Sequence, residues 1–220
     1  MYKNLLTIAT SVLLILGLIT TQELAAQPNL ISNHGFEASS STPTGWTTTN
    51  MGGTSSVSST KKVSGSYSFS NNNSSLTTTG YVESNSVINV PANQYLILMA
   101  NYQVTSRSGN SRVMLGINGN MGSTYTPAAN NTFYFISSAI QNTTGSTATW
   151  KPRFNMYSSS GTNSRTFYWD DFIAYVSTTA TVDLTAPNAP TSLAVNFSSN
   201  SANLTWQNGS DNSGGSGVQR

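Results

Sequence analysis

The chain has no cysteine, a single histidine and few charges: only 7% of its 220 residues are Asp, Glu, Lys or Arg. Without cysteine there are no disulfides to staple an exported domain, no thiolate nucleophile and no Cys-ligated zinc. Stability has to come from a packed core or from a bound ion. His34 stands alone and no Gly-x-Ser-x-Gly segment is present, which excludes the usual hydrolase triads. The formal net charge is +2, and basic residues cluster only at Lys61-Lys62. That leaves no electrostatic footprint for a nucleic acid or an anionic membrane. Beyond the N-terminal region no apolar run is long enough to span a bilayer, and no segment carries a helical period.

What is present begins with an export signature. Lys3 precedes an uncharged stretch whose apolar centre is Leu13–Ile19, and small residues follow at Ala25-Ala26, so residues 1–26 read as a secretory signal peptide processed near Ala26. A membrane anchor is the alternative, but no stop-transfer pattern follows. The protein is expected to be secreted or displayed at the cell surface, with no membrane insertion once the signal is removed.

From Asn29 onward, short runs of Val, Ile, Leu, Tyr and Phe are separated by clusters of Gly, Asn, Ser and Thr, which predicts an all-β sandwich. Strands are expected at Val87–Val90, Tyr95–Val104, Arg112–Asn118, Thr132–Ser138, Ala148–Tyr157 and Arg165–Val176, with a turn at Pro91–Gln94. Tyr95, Ile97 and Met99 share one face of their strand, and Leu96, Leu98, Ala100 and Tyr102 share the other. Apolar residues on both faces place it centrally in a sheet. Residues 178–190 read as a linker, in which Asp183–Pro190 is extended and proline-punctuated. Leu193–Phe197 and Ala202–Trp206 then look like the first two strands of a further unit.

Four segments in order resemble jelly-roll carbohydrate-binding modules of the family 4, 9 and 22 type, with a galactose-binding-like fold. They are Asn29–Glu37, Gly45-Trp46, Gly65–Phe69 and Phe167–Phe172. The resemblance covers residues 28–177 and implies a jelly-roll β-sandwich that binds polysaccharide without catalysis. Asp183–Pro190, followed by Leu193, Leu204 and Trp206, resembles the opening of a fibronectin type III repeat. Residues 191–220 are therefore expected to be the truncated start of such a domain within a longer exported protein.

Family members commonly hold a structural calcium where the first and last strands meet, and the resemblance assigns Glu37 and Asp170 as its ligands. Hard oxygen donors of this kind suit Ca2+. The other reading is that Glu37 caps a turn while Asp170 and Asp171 alternate across an edge strand. His34 stands where the family usually has Gly, which matters if that turn needs a positive φ.

A sugar site needs aromatic rings together with amides or guanidinium groups on a concave surface. Tyr102, Gln103, Arg112, Asn118, Trp150, Arg153 and Tyr157 are the candidates, provided the outer faces of their strands form one surface. Each ring has an equally good reading as a core residue, and Trp46 and Trp169 are assigned to structure. Glu37, Glu83, Asp170 and Asp171 are numerous enough for a two-carboxylate glycosidase. Two of them are the candidate ion ligands, however, and Glu83 stands in a polar stretch, so no enzyme activity is expected. The rival reading is a structural or adhesion sandwich without a sugar site, or an accessory part of a longer glycoside hydrolase or peptidase. The module is expected to act as a monomer with a glycan as its partner.

Overall fold

A computed structural model describes residues 28–73, 80–105, 111–126, 128–158, 165–182, 191–198 and 201–207. Residues 1–26, expected as a signal peptide, and the expected connector Asp183–Pro190 lie outside the described residues. Chain contacts divide the molecule into two units, Gln27–Leu184 and a second that holds the last two strands.

The larger unit is all-β. Its strands are β1 (Trp46–Thr49), β2 (Thr54–Ser58), β3 (Ser68–Asn73), β4 (Gly80–Ser84), β5 (Ile88–Val90) and β6 (Tyr95–Val104). They continue with β7 (Ser111–Ile117), β8 (Asn120–Tyr125), β9 (Tyr134–Gln141), β10 (Ala148–Trp150), β11 (Pro152–Ser158) and β12 (Arg165–Ser177). One antiparallel five-stranded sheet runs β1-β4-β11-β7-β8, and the other runs β2-β3-β12-β6-β9. A short β10-β5 pair lies beside them. Consecutive strands repeatedly switch sheets, which is the winding of a jelly-roll β-sandwich.

Period-two alternation decides which side chains meet between the sheets. Val82, Val113, Leu115, Phe154 and Met156 point inward from the first sheet. Phe69, Leu96, Leu98, Tyr102, Phe167 and Trp169 point inward from the second. The centre is aromatic: the Phe154 and Trp169 rings lie 4.4 Å apart, and Trp46, Phe36 and Phe172 close around them. Each such ring contributes on the order of 2–3 kcal/mol by leaving water.

The central strand β6 is buried on both faces, as its sequence predicts. Leu96, Leu98, Ala100 and Tyr102 join the inter-sheet core, while Ile97 and Met99 form a second cluster with Tyr175, packed by Tyr95, Ile173 and Val182. Strand β12 carries a bulge at Asp171, where φ is +50°, so both Trp169 and Phe172 face the core on either side of it.

The stretch expected as a single strand, Ala148–Tyr157, is two strands that join different sheets. Strands β1 to β4 and β8, rich in Ser, Thr and Asn, carried no apolar run strong enough to predict them.

In the second unit, β13 (Thr191–Ser198) and β14 (Ser201–Gln207) form an antiparallel hairpin that pairs Val195 with Leu204 and Phe197 with Ala202. Leu193, Val195, Phe197 and Leu204 are all exposed on it.

Candidate functional site

The outward face of the β1-β4-β11-β7-β8 sheet gathers polar and aromatic side chains around Arg153. On β4, Tyr81 and Glu83 alternate with the buried Val82 and Ser84. On β11, Arg153 and Asn155 alternate with Phe154 and Met156. Strand pairing sets Arg153 between Glu83 and Gly116, and Asn155 between Tyr81 and Met114.

Arg153 is engaged by Glu83, Asn118 and Tyr81. Its Nη2 and Nε donate to Glu83 Oε2 at 2.6 and 3.1 Å, and Nη1 donates to Asn118 Oδ1 at 3.1 Å. The guanidinium carbon lies 3.7 Å from the centroid of the Tyr81 ring, a cation-π contact. At Gly116, opposite Arg153, the backbone of the following strand closes in: a Cβ there would sit 2.5 Å from Asn120 O and 2.7 Å from Met121 Cα, so only glycine fits. Beside Arg153, Asn155 is buried, and its Oδ1 has no partner among the described residues. An unsatisfied buried amide oxygen costs on the order of 1–3 kcal/mol.

At the end of this face an open pocket of about 340 Å³ is lined by Glu83, Ile117, Asn118, Thr149, Trp150 and Lys151. Trp150 reaches it from β10, pairing opposite Ile88, with its ring half-buried. The pocket thus joins one indole, one carboxylate and one amide, a combination suited to a polyhydroxylated ring.

Arg112, Asn118, Trp150 and Arg153, all expected as binding residues, therefore belong to this sheet or its rim. Tyr157 pairs opposite Arg112 in the backbone ladder, but its side chain lies outside the described residues. Two expectations are corrected. Tyr102 is 2% exposed in the inter-sheet core, its ring 5.5 Å from that of Trp169; burial and the neighbouring Tyr134 and Tyr125 push its pKa up to about 12. Gln103 is on the outward face of the other sheet, buried opposite Tyr168. Both follow from β6 belonging to the second sheet, a partition that alternation along one strand does not reveal. Tyr81 and Glu83 were missed as binding candidates, although Tyr-Val-Glu already carries the period-two pattern.

Glu37 and Asp170 do come together around residues 61–67. Glu37 accepts the Ser66 amide at 3.0 Å on both oxygens and the Tyr67 amide at 2.9 Å. Asp170 Oδ2 accepts the Val63 and Ser64 amides at 2.7 and 3.2 Å, and Oδ1 accepts the Asp171 amide at 2.8 Å. Burial pushes the Asp170 pKa up to about 6 against the lowering effect of these amides. A Cβ built on Gly35 would lie 3.7 Å from Glu37 Cγ and 3.9 Å from Asp170 Oδ1, so the two acids flank one small cradle. No third Asp, Glu, His or Cys joins them among the described residues. Both are oxygen donors of the type calcium takes, and backbone carbonyls would have to complete any shell. His34 does not disturb the turn, because the positive φ values fall on Asn33 and Phe36 instead.

No protein-family model matches the chain, and no curated protein does. Solved structures do. The arabinose-bound MgGH51 α-L-arabinofuranosidase aligns at 12% identity with a TM-score of 0.55, over 71% of this chain and 27% of that one. The fold is a jelly roll. The CBM22-1 xylan-binding domain of Paenibacillus barcinonensis Xyn10C aligns at 15% identity and a TM-score of 0.47, over 70% of this chain and 98% of that one. TmCBM61 in complex with β-1,4-galactotriose aligns at 17% identity and 0.43, over 67% and 98%. The jelly roll spans about a quarter of the arabinofuranosidase's length, and at these identities fold is what is shared.

Proposed function

We propose that the chain is a non-catalytic carbohydrate-binding module of a secreted multidomain protein, and that its glycan lies on the outward face of the β1-β4-β11-β7-β8 sheet. The observation that carries this reading is the convergence of Trp150, Asn118 and Glu83 on one open pocket beside the ordered Arg153–Tyr81 pair. The Trp150 ring would stack on the apolar face of a sugar. Asn118, Glu83, Asn155 and the unused N–H groups of Arg153 would exchange hydrogen bonds with its hydroxyls. The strand pairing already fixes these groups, so little ordering is needed on binding. Arg112 and Tyr157 would extend the face.

The distribution of acids supports a binding rather than a hydrolytic role. Glu83 is tied to Arg153, while Glu37, Asp170 and Asp171 sit around residues 61–67 beside the other sheet. Calcium held by Glu37 and Asp170 would brace the N-terminal segment against β12. Residues 1–26 would serve as the export signal. The exposed apolar face of β13 and β14 suits the opening of a fibronectin type III repeat.

The second reading is a structural or adhesion sandwich. It is favoured by the same Arg153–Glu83–Tyr81 cluster, which is satisfied without any ligand. Affinity electrophoresis and calorimetry of the full chain against a polysaccharide panel decide between them. Retardation by one polysaccharide class, lost in Trp150→Ala, supports the module; no binding by a demonstrably folded chain supports the spacer.

A further inference from the structure

We infer that Glu83 sets the class of glycan the face accepts, by holding Arg153 as a neutral pair and so selecting uncharged polysaccharides over uronate-bearing ones. The inference rests on the sugar-binding reading above. Arg153 stands mid-sheet, bonded to the Glu83 and Asn118 that line the pocket, and a free guanidinium there would make a bidentate pair with a sugar carboxylate. Here that geometry is already taken. Glu83 Oε2 accepts from both Nε and Nη2, with the two side chains 11% and 20% exposed, and Asn118 takes a third N–H.

An acidic sugar would have to displace Glu83 and leave its carboxylate unpaired in a partly buried site that also lines the pocket. It would meet like charge on entering. A neutral sugar meets neither obstacle. Of the five guanidinium N–H groups three are used, and the remaining two can still donate to hydroxyls. Tyr81 reinforces the arrangement, because one side of its ring is covered by the guanidinium and holds it flat against the sheet. Arg112 is exposed, and Lys151 lines the pocket as an exposed point charge that water and salt screen and that offers no bidentate fork.

The test uses the full chain and its Glu83→Gln and Glu83→Ser variants, each shown folded by its melting curve. Affinity electrophoresis is run against neutral polysaccharides and against polygalacturonate, at low and at physiological salt. The expected result is retardation of the parent chain by a neutral polysaccharide and not by polygalacturonate. Both variants should gain polygalacturonate binding by about tenfold or more, as a freed charge-assisted pair allows. The gain should fall with salt and vanish when Arg153→Gln is added.

Equal binding of both classes by the parent chain overturns the inference. So do variants that still bind the neutral polysaccharide and ignore polygalacturonate, and in that case the sugar-binding reading survives. A folded parent and folded variants that bind neither class overturn both.

Discussion

The carboxylate of Asp170, itself buried, accepts the backbone amide of the exposed Val63 at 2.7 Å, joining parts of the chain 107 residues apart. Burial holds its pKa near 6, against 3.8 in an exposed carboxyl. Between those values the folded chain keeps a proton that the unfolded chain has released. The Asp170 contribution to stability is therefore largest below about pH 4, falls as pH rises to about 6 and is flat above, with a total of at most about 3 kcal/mol. In chelator, Asp170→Asn should remove this part of the pH dependence, read as the difference between the melting temperatures of the two proteins across that window.

Calcium should act in the opposite pH sense, since it needs the carboxylate. Added Ca2+ is expected to raise the melting temperature at neutral pH by an amount equivalent to about 2–3 kcal/mol at a hundredfold excess over its dissociation constant. The increment should shrink below about pH 6. An unchanged melting curve with and without chelator would leave hydrogen bonds alone to fasten residues 61–67.

Trp150→Ala should weaken binding to the retained polysaccharide by about tenfold, the loss of one stacked ring. Because Trp150 is partly buried and packs against the inter-sheet core, the melting temperature should fall as well. Calorimetry and a thermal scan on the same sample separate the two effects.

Tyr102→Ala should lower stability alone. The ring packs against Trp169 and Tyr134 within the core, so its removal is expected to cost about 3–5 kcal/mol in urea unfolding. Glycan affinity per folded molecule should stay the same.

Gly116→Ala is expected to lower stability by about 1–3 kcal/mol, since the new methyl would press on the backbone of Asn120 and Met121. It should also shift the β7–β8 hairpin and, through Asn118, loosen Arg153. Guanidinium chloride midpoints and glycan affinity should therefore fall together.

Much of the sandwich was legible because apolar alternation is a local property. Tyr95–Val104 is a strand with the predicted boundaries, and its two buried faces follow from the unbroken apolar run Tyr95–Ala100. The N-terminal strands were not legible. Trp46–Thr49 and Thr54–Ser58 are mostly Ser and Thr, and only pairing with β4 and β3 makes strands of them. The candidate site was half legible. Alternation along their strands put Arg153 and Asn118 on outward faces, where the structure has them, and the resemblance singled out Glu37 and Asp170, which both bond to residues 61–67. Tyr102 and Gln103 were misplaced because sheet membership is a long-range outcome. Glu83 was undervalued because its partner lies 70 residues away.

The side-chain amide of Asn29 donates to the Phe172 carbonyl at 2.7 Å, and its oxygen accepts from the Ala174 amide at 3.0 Å, across 143 and 145 residues. With the Leu30 amide on the Ala174 carbonyl and the Phe172 amide on the His34 carbonyl, it joins the two ends of the sandwich. During synthesis the first strands must wait for β12 before the sheets can close, and their Ser- and Thr-rich edges have little reason to collapse alone. Such non-local closure makes for slow folding. Truncation anywhere before Ala174 is expected to leave an open sheet, with exposed edges that pair with other chains.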